Sequence, residues 1–176
     1  MRYIALLRGI NVSGQKIIKM AELREFLTDS GFKNVSTYIQ SGNIIFESDK
    51  ANISILEDTV KETIERHYGF IVPTIVLTLP SVKNAIEKQS FNNIDDKKLY
   101  LTFLSHKPIN DGIEELKKYQ TNGEELKLIG SVLYIYSPNG VGKSKLTLKV
   151  IEKKLAVSAT SRNWRTCGKL LALFIY

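Results

Sequence analysis

The chain has little of what metal and acid–base chemistry needs. Of its 176 residues one is cysteine, Cys167, and two are histidine, His67 and His106. A single thiol forbids an intramolecular disulfide and points to a reducing compartment. No cluster of Cys, His and acids has the spacing of a metal site. Both histidines fall at or just past the end of an expected element, and neither has a partner pattern for proton transfer. No apolar run approaches the roughly 20 residues of a membrane span. The apolar stretch after Met1-Arg2 is too short and wrongly flanked for a secretory signal. The expectation is a cytoplasmic protein with no membrane association. Acids are scarce in one segment: from Lys143 onward eight Lys and Arg face a single acid, Glu152, so the net charge of +7 resides there. Such a segment attracts phosphates, nucleic acid or an acidic partner, or simply forms a solvated surface.

What is present suits one or two small domains. Hydrophobic residues make up 43% and charged residues 24%, ordinary for a soluble fold. Tyr3-Ile4-Ala5-Leu6-Leu7 reads as a buried strand that delivers Arg8 and a loop with Gly9, Asn11, Ser13 and Gly14 to the edge of a sheet. Helical spacing follows over Lys19 to Ser30, closed by Gly31. Two strands, Val35 to Gln40 and Ile44 to Phe46, flank Ser41-Gly42-Asn43 as a hairpin. A second helix is predicted from Ile53 to Tyr68 with Gly69 ending it, and then a strand at residues 74–79. Strand, helix, strand, strand, helix, strand is the split βαβ, or ferredoxin-like, order.

After a short helix and a polar connection at 81–96 the order begins again. Strands are expected at 98–104, 126–129 and 132–136, with a short helix capped by Asp111 between the first two. Another helix is expected from Lys143 to Leu155, with Lys145, Lys149 and Lys153 forming a positive stripe. Trp164, Cys167, Leu170, Leu171 and Phe174 recur at helical spacing where a last strand would fall. The fold class is therefore α+β: a ferredoxin-like subdomain at 1–80, and a second at 97–176 that ends in a helix in place of its last strand.

Two late segments suggest anion binding. Ser137-Pro138-Asn139-Gly140-Val141-Gly142-Lys143-Ser144 resembles a nucleotide-binding loop but has Ser137 where that motif needs glycine. It keeps glycine-rich backbone ahead of an expected helix, with Lys143, Ser144 and Lys145 beside it. Thr160 or Ser161 can cap the last helix, placing Arg162 and Arg165 in its first turn beside Asn163. Cations there oppose the helix dipole unless an anion or other acids compensate. Cys167 falls on an apolar helical face, where a buried inert thiol is expected. Glu114-Glu115 and Glu124-Glu125 read as solvated.

Leu6-Leu7-Arg8-Gly9-Ile10-Asn11-Val12, Met20 with Leu23, Gly31-Phe32, Thr37-Tyr38-Ile39-Gln40-Ser41-Gly42-Asn43, Gly142-Lys143-Ser144-Lys145-Leu146 and Arg162-Asn163-Trp164-Arg165-Thr166 occur together in this order. The combination resembles a bacterial family of unknown function, number sixteen ninety-seven. The resemblance covers nearly the whole chain. It implies two ferredoxin-like subdomains and no assigned activity. Ser13 stands where that family often has glycine, and Lys143 where arginine is common.

The functional expectation is a non-catalytic binding module for a phosphorylated or otherwise anionic ligand, nucleic acid included, with no metal or organic cofactor. Its site would be lined by Arg8, Gly9, Asn11, Ser13 and Gly14, by Gln40, Ser41 and Asn43, and by Lys143, Ser144, Lys145, Arg162 and Asn163. The alternatives are an enzyme acting on a small phosphorylated metabolite at the interface of the subdomains, and a protein-interaction scaffold.

Overall fold

A computed structural model describes residues 1–109 and 111–175. Two compact units divide the chain: Met1–Val82 together with Leu170 onward, and Lys83–Lys169.

The first unit contains β1 (Arg2–Leu7), α1 (Met20–Asp29), β2 (Lys33–Tyr38), β3 (Asn43–Glu47), α2 (Ile53–Tyr68) and β4 (Thr74–Thr78). Its sheet runs β2-β3-β1-β4 with every neighbour antiparallel, the ferredoxin-like order. Strand alternation decides what each face holds. Tyr3, Ala5 and Leu7 of β1 pack with Leu23 and Leu27 of α1 and with Leu56, Val60 and Ile64 of α2. Ile4 and Leu6 point to the other face and are equally buried. Helix α2 has the limits that the sequence predicts. The Asn52 side chain accepts from the amides of Ser54 and Ile55, and Gly69 closes the helix in the left-handed region at φ 75°. Where β4 would expose its outer edge, the carboxylate of Glu57 accepts the Val76 amide at 3.0 Å.

Helix α3 (Leu79–Glu87) leads to β5 (Leu99–Leu104), α4 (Gly112–Lys117), β6 (Glu125–Ile129), β7 (Val132–Tyr136), α5 (Leu148–Leu155), β8 (Ala159–Asn163) and α6 (Trp164–Ile175). The second sheet is β6-β7-β5-β8, again antiparallel throughout and in the same order as the first. Its core gathers Leu104, Leu116, Leu133, Ile135, Ile151 and Leu155.

Two expectations are corrected here. The helix expected from Lys143 begins five residues later, at Leu148. Residues Val141–Lys143 make only a single 3₁₀ turn. The Ser144 hydroxyl then accepts the Leu146 amide at 3.0 Å, and Thr147 caps the helix through Val150. Serine and threonine bonding their neighbours' amides hold the chain out of helix until a cap is reached. Lys145 therefore lies off the helix, and only Lys149 and Lys153 of the stripe share it. The chain does close on a helix, α6, as expected. The second sheet's fourth strand is nonetheless present: β8, Ala159–Asn163, which the sequence reading had placed in the cap and first turn of that helix. Ala-Thr-Ser-Arg-Asn has no apolar alternation, and its strand character comes from pairing with β5 rather than from local pattern.

Candidate functional site

The loops at the C-terminal end of β1 form a surface of the first unit that hydrogen bonds tie together. Three segments meet there: 8–19 between β1 and α1, 39–42 between β2 and β3, and 69–73 between α2 and β4. Backbone bonds join them, Leu7 N–H to Gly42 O at 2.8 Å and Arg8 N–H to Pro73 O at 3.0 Å. Asn11 is the principal stitch. Its Nδ2 donates to Ile18 O at 3.0 Å and to Gln40 O at 2.9 Å, and its Oδ1 accepts from Ile18 N at 2.8 Å. Lys16 Nζ donates to Ile71 O at 2.7 Å and lies 5.7 Å from the centre of the Phe70 ring. Ile10 and Ile18 are buried and anchor the loop to the core.

This crown carries unusual backbone strain. Gly9, Asn11, Ser13, Gly14 and Lys16 have φ between 46° and 73°, and in the facing hairpin Ile39 is at 52° and Gly42 at 78°. Val12 N-terminally and Gln15 C-terminally bracket Ser13-Gly14, with Gln15 N–H bonded to Val12 O at 2.9 Å. Positive φ at both central residues is the signature of a type I′ turn. Gly42 has a second reason to be glycine: a Cβ there would lie 2.6 Å from Leu7 Cβ and 2.8 Å from Ile10 Cδ1.

The eight first-unit residues named from sequence thus converge on one end of one sheet. Gly9, Ser13, Gly14, Gln40 and Ser41 are exposed there, and Arg8 is half-buried at the root of the loop. Asn11 and Asn43 face inward. Asn43 is fully buried, its Nδ2 donating to Tyr38 O at 2.9 Å and to Ser41 Oγ at 3.0 Å. Both asparagines fix the shape that the exposed groups adopt. The sequence reading passed over Lys16, Lys19 and the exposed Ile17 between them. A signal was present: segments 8–19, 39–42 and 69–73 hold Arg8, Lys16 and Lys19 and not one acid. Lys19 pairs with Glu22 at 2.9 Å, one turn into α1.

The second-unit residues lie at the other end of their sheet's equivalent strand, beside the start of β5: Leu99 pairs with Tyr136 and Tyr100 with Asn163. The glycine-rich segment there wraps a carboxylate of the chain itself. Glu124, expected to be solvated, is 8% exposed. Its Oε1 accepts from Ser137 Oγ at 2.8 Å, and its Oε2 from Thr121 N and Oγ1 at 3.0 and 3.1 Å. Burial pushes its pKa up, but the bonds from Ser144, Thr121 and Ser137 outweigh that and hold it below the usual carboxylate value. The hollow bounded by Glu124, Ser137, Gly140, Lys143 and Ser144 has about 10 Å³ of space, enough for roughly one water. Lys143 and Lys145 are exposed. Arg162 Nη1 donates to Ser161 O at 2.9 Å, and Asn163 Oδ1 accepts the Thr166 amide at 2.8 Å, so Asn163 caps α6 in place of Thr160 or Ser161. Burial brings the Arg162 guanidinium down to about 10 and takes the Cys167 thiol up to about 12.

Chemically these surfaces present hydrogen-bond donors and lysine cations. His67 stacks on Phe26 with ring centres 3.7 Å apart, and His106 Nδ1 lies 3.0 Å from Ser105 Oγ. Among the described residues no group of three or more His, Cys, Asp and Glu could hold a metal ion, and no helix is long and apolar enough to cross a membrane.

A family model described as "Protein of unknown function (DUF1697)" matches residues 1–134. That span includes the whole crown and stops short of Lys143, β8 and α6. A solved structure, described as that of the conserved bacterial protein SP0830 from Streptococcus pneumoniae, is similar over 98% of both chains, with 27% identity and a TM-score of 0.74. No curated protein matches the chain.

Proposed function

The chain belongs to the DUF1697 family of proteins of unknown function, and we propose that it is a non-catalytic binding module holding a phosphorylated or otherwise anionic ligand on the crown of its first unit. One observation carries this reading: three loops whose own residues include cations and no acid meet on a stitched, left-handed backbone, and with Lys19 paired to Glu22 the exposed Lys16 is the cation on which it leans. Residues other than glycine held at positive φ cost about 1 kcal/mol or more each. Serine and lysine at such angles on an exposed tip contribute nothing to the core, so the strain fits a surface whose shape is its use. The guanidinium of Arg8, the solvent-facing backbone at Gly9, Ser13 and Gly14, and the polar groups of Gln40 and Ser41 would supply the donors. Calorimetric titration with inorganic phosphate, nucleotides and sugar phosphates at two salt concentrations tests it. Binding should be present at low salt, weaken as salt rises, and fall in Lys16→Glu. Silence toward all of these anions at low salt refutes the reading.

A specific observation favours nucleic acid as a second reading. Lys143, Lys145, Lys149 and Lys153 are exposed, and none bonds an acid among the described residues. Engagement of all four with a phosphate backbone would give a salt dependence of roughly −3 in log K against log salt. Filter binding with single- and double-stranded oligonucleotides reads that slope directly, and a flat salt response would remove nucleic acid.

A further inference from the structure

We infer that the crown's partner is an acidic protein segment bearing aliphatic or aromatic side chains, which deepens the anion-binding reading and rests on it. The crown exposes four β-branched aliphatics: Val12 at 60%, Ile17 at 54%, Ile39 at 49% and Ile71 at 62%. They lie on loops that hydrogen bonds hold together. Asn11, beside Val12, bonds Gln40, beside Ile39; Lys16, beside Ile17, bonds Ile71 itself. Scattered exposed aliphatics are normal, but a contiguous group approaching a few hundred Å² marks a contact surface.

Ile39 makes the case stronger. At φ 52° it occupies a region where β-branched side chains are outliers, at a hairpin position that glycine or asparagine fills without strain. An isoleucine there strains the backbone and leaves about half its side chain in water. Core packing does not explain it; contact with a partner does. Lys16 sets the partner's charge: it is exposed, follows Val12 and precedes Ile17 in one loop, bonds the carbonyl of Ile71 at 2.7 Å, and the three segments contain no Asp or Glu. None of the four exposed groups is aromatic, so they offer no platform for stacking bases. They suit side chains of a polypeptide, with glutamates or aspartates reaching Lys16.

Panning a phage-displayed random peptide library on the whole protein tests this, with inorganic phosphate titrated in parallel. The selected peptides are expected to be acidic and to contain aliphatic or aromatic residues. Ile39→Asn should raise the unfolding midpoint, because asparagine tolerates that backbone, yet weaken the selected peptides at least tenfold. Lys16→Glu should weaken them as well. No enrichment, enrichment of neutral or basic peptides, or equal affinity for Ile39→Asn overturns the inference. Binding of phosphatidylserine vesicles with no peptide selected overturns it in favour of a membrane surface. Phosphate binding without peptide binding leaves the anion reading standing alone, and loss of both removes the two together.

Discussion

Gly42→Ala tests the crown's construction more sharply than any polar substitution. Two independent costs meet at this position. The backbone is at φ 78°, where an L side chain costs about 1–2 kcal/mol. The new Cβ would also sit 2.6 Å from Leu7 Cβ and 2.8 Å from Ile10 Cδ1, against about 3.5–4.0 Å for comfortable carbon contacts. Neither neighbour can step aside freely. Leu7 Cβ is fixed to the backbone of a central strand, and Ile10 is 2% exposed. Relieving the overlap needs a shift of about an ångström in the hairpin, and overpacking of that kind costs about 1–3 kcal/mol. The expected loss is therefore about 2–5 kcal/mol. Gly14→Ala is the internal control, because its φ is 73° but nothing lies within 4 Å of the added carbon. It carries the backbone cost alone, about 1–2 kcal/mol. Urea unfolding followed by circular dichroism measures both variants, and the difference between them isolates the steric cost. Gly42→Ala no more destabilising than Gly14→Ala would refute the close approach of the hairpin to β1. The same variant should also weaken any crown ligand, since the bond from Leu7 N–H to Gly42 O registers the hairpin on the strand.

Asn11→Ala removes three hydrogen bonds and leaves the Ile18 amide, on a residue 3% exposed, without its acceptor; a loss of about 2–3 kcal/mol and faster amide exchange at Ile18 and across residues 9–18 are expected by hydrogen-exchange mass spectrometry. Glu124→Gln should be clearly less stable than the parent at pH 7, by about 2 kcal/mol, and the gap should close in acid. The sign follows from linkage: the folded pKa lies below the ordinary value of 4.5, so the carboxylate's contribution is fully present above that pH and is lost as pH falls through the folded value. Thermal unfolding from pH 7 to pH 3 reads it, and a gap independent of pH would refute the buried ionised carboxylate. Cys167 is 1% exposed and its thiol is pushed up to about 12 by burial; a disulfide reagent at pH 8 should leave the native protein unlabelled and label it fully in guanidinium, whereas rapid native labelling would contradict the packing of α6.

Legibility followed how local each cause was. Helix α2 could be read because its apolar stripe and the closing Gly69 are signals within or beside the helix itself; the Asn52 cap emerges only in the structure. The two hairpins were visible from β-branched runs around glycine. Strand β8 was not, because its pairing with Leu101 and Phe103 lies nearly sixty residues away in sequence. The start of α5 was misread for the opposite reason: a glycine-lysine-serine string suggested a helix N-terminus, while Ser144 and Thr147 bond their own neighbours and postpone it. Glu124 next to Glu125 looked solvated because nothing local shows that Ser137, thirteen residues on, returns to bond it. The crown's members were readable as a group, through glycines and polar residues after a buried strand. Their division into exposed contacts and inward-facing stitches was not, since Asn11 and Asn43 look alike in sequence to Gln40 and Ser41.

The two units repeat one device that bears on where function resides. Glu57 is the fifth residue of α2 and accepts the Val76 amide of β4 at 3.0 Å; Glu152 is the fifth residue of α5 and accepts the Ala159 amide of β8 at 2.9 Å. In each sheet the last strand is an edge, and a carboxylate from the second helix occupies an amide that could otherwise recruit another strand. Repetition of strand order and of this contact marks the sheets and their helices as common scaffold. The first connection does not repeat. Twelve residues separate β1 from α1, and seven separate β5 from α4. The shorter connection contains Asp111 and His106, whereas the longer one has no acid and five left-handed residues. A scaffold present twice and a strained, acid-free loop present once are consistent with the proposed recognition surface on the first unit. The equivalent turn of the second unit is then the natural recipient for a graft: moving segment 8–19 between β5 and α4 should carry peptide binding with it only if the facing hairpin, with Ile39 and Gly42, moves too.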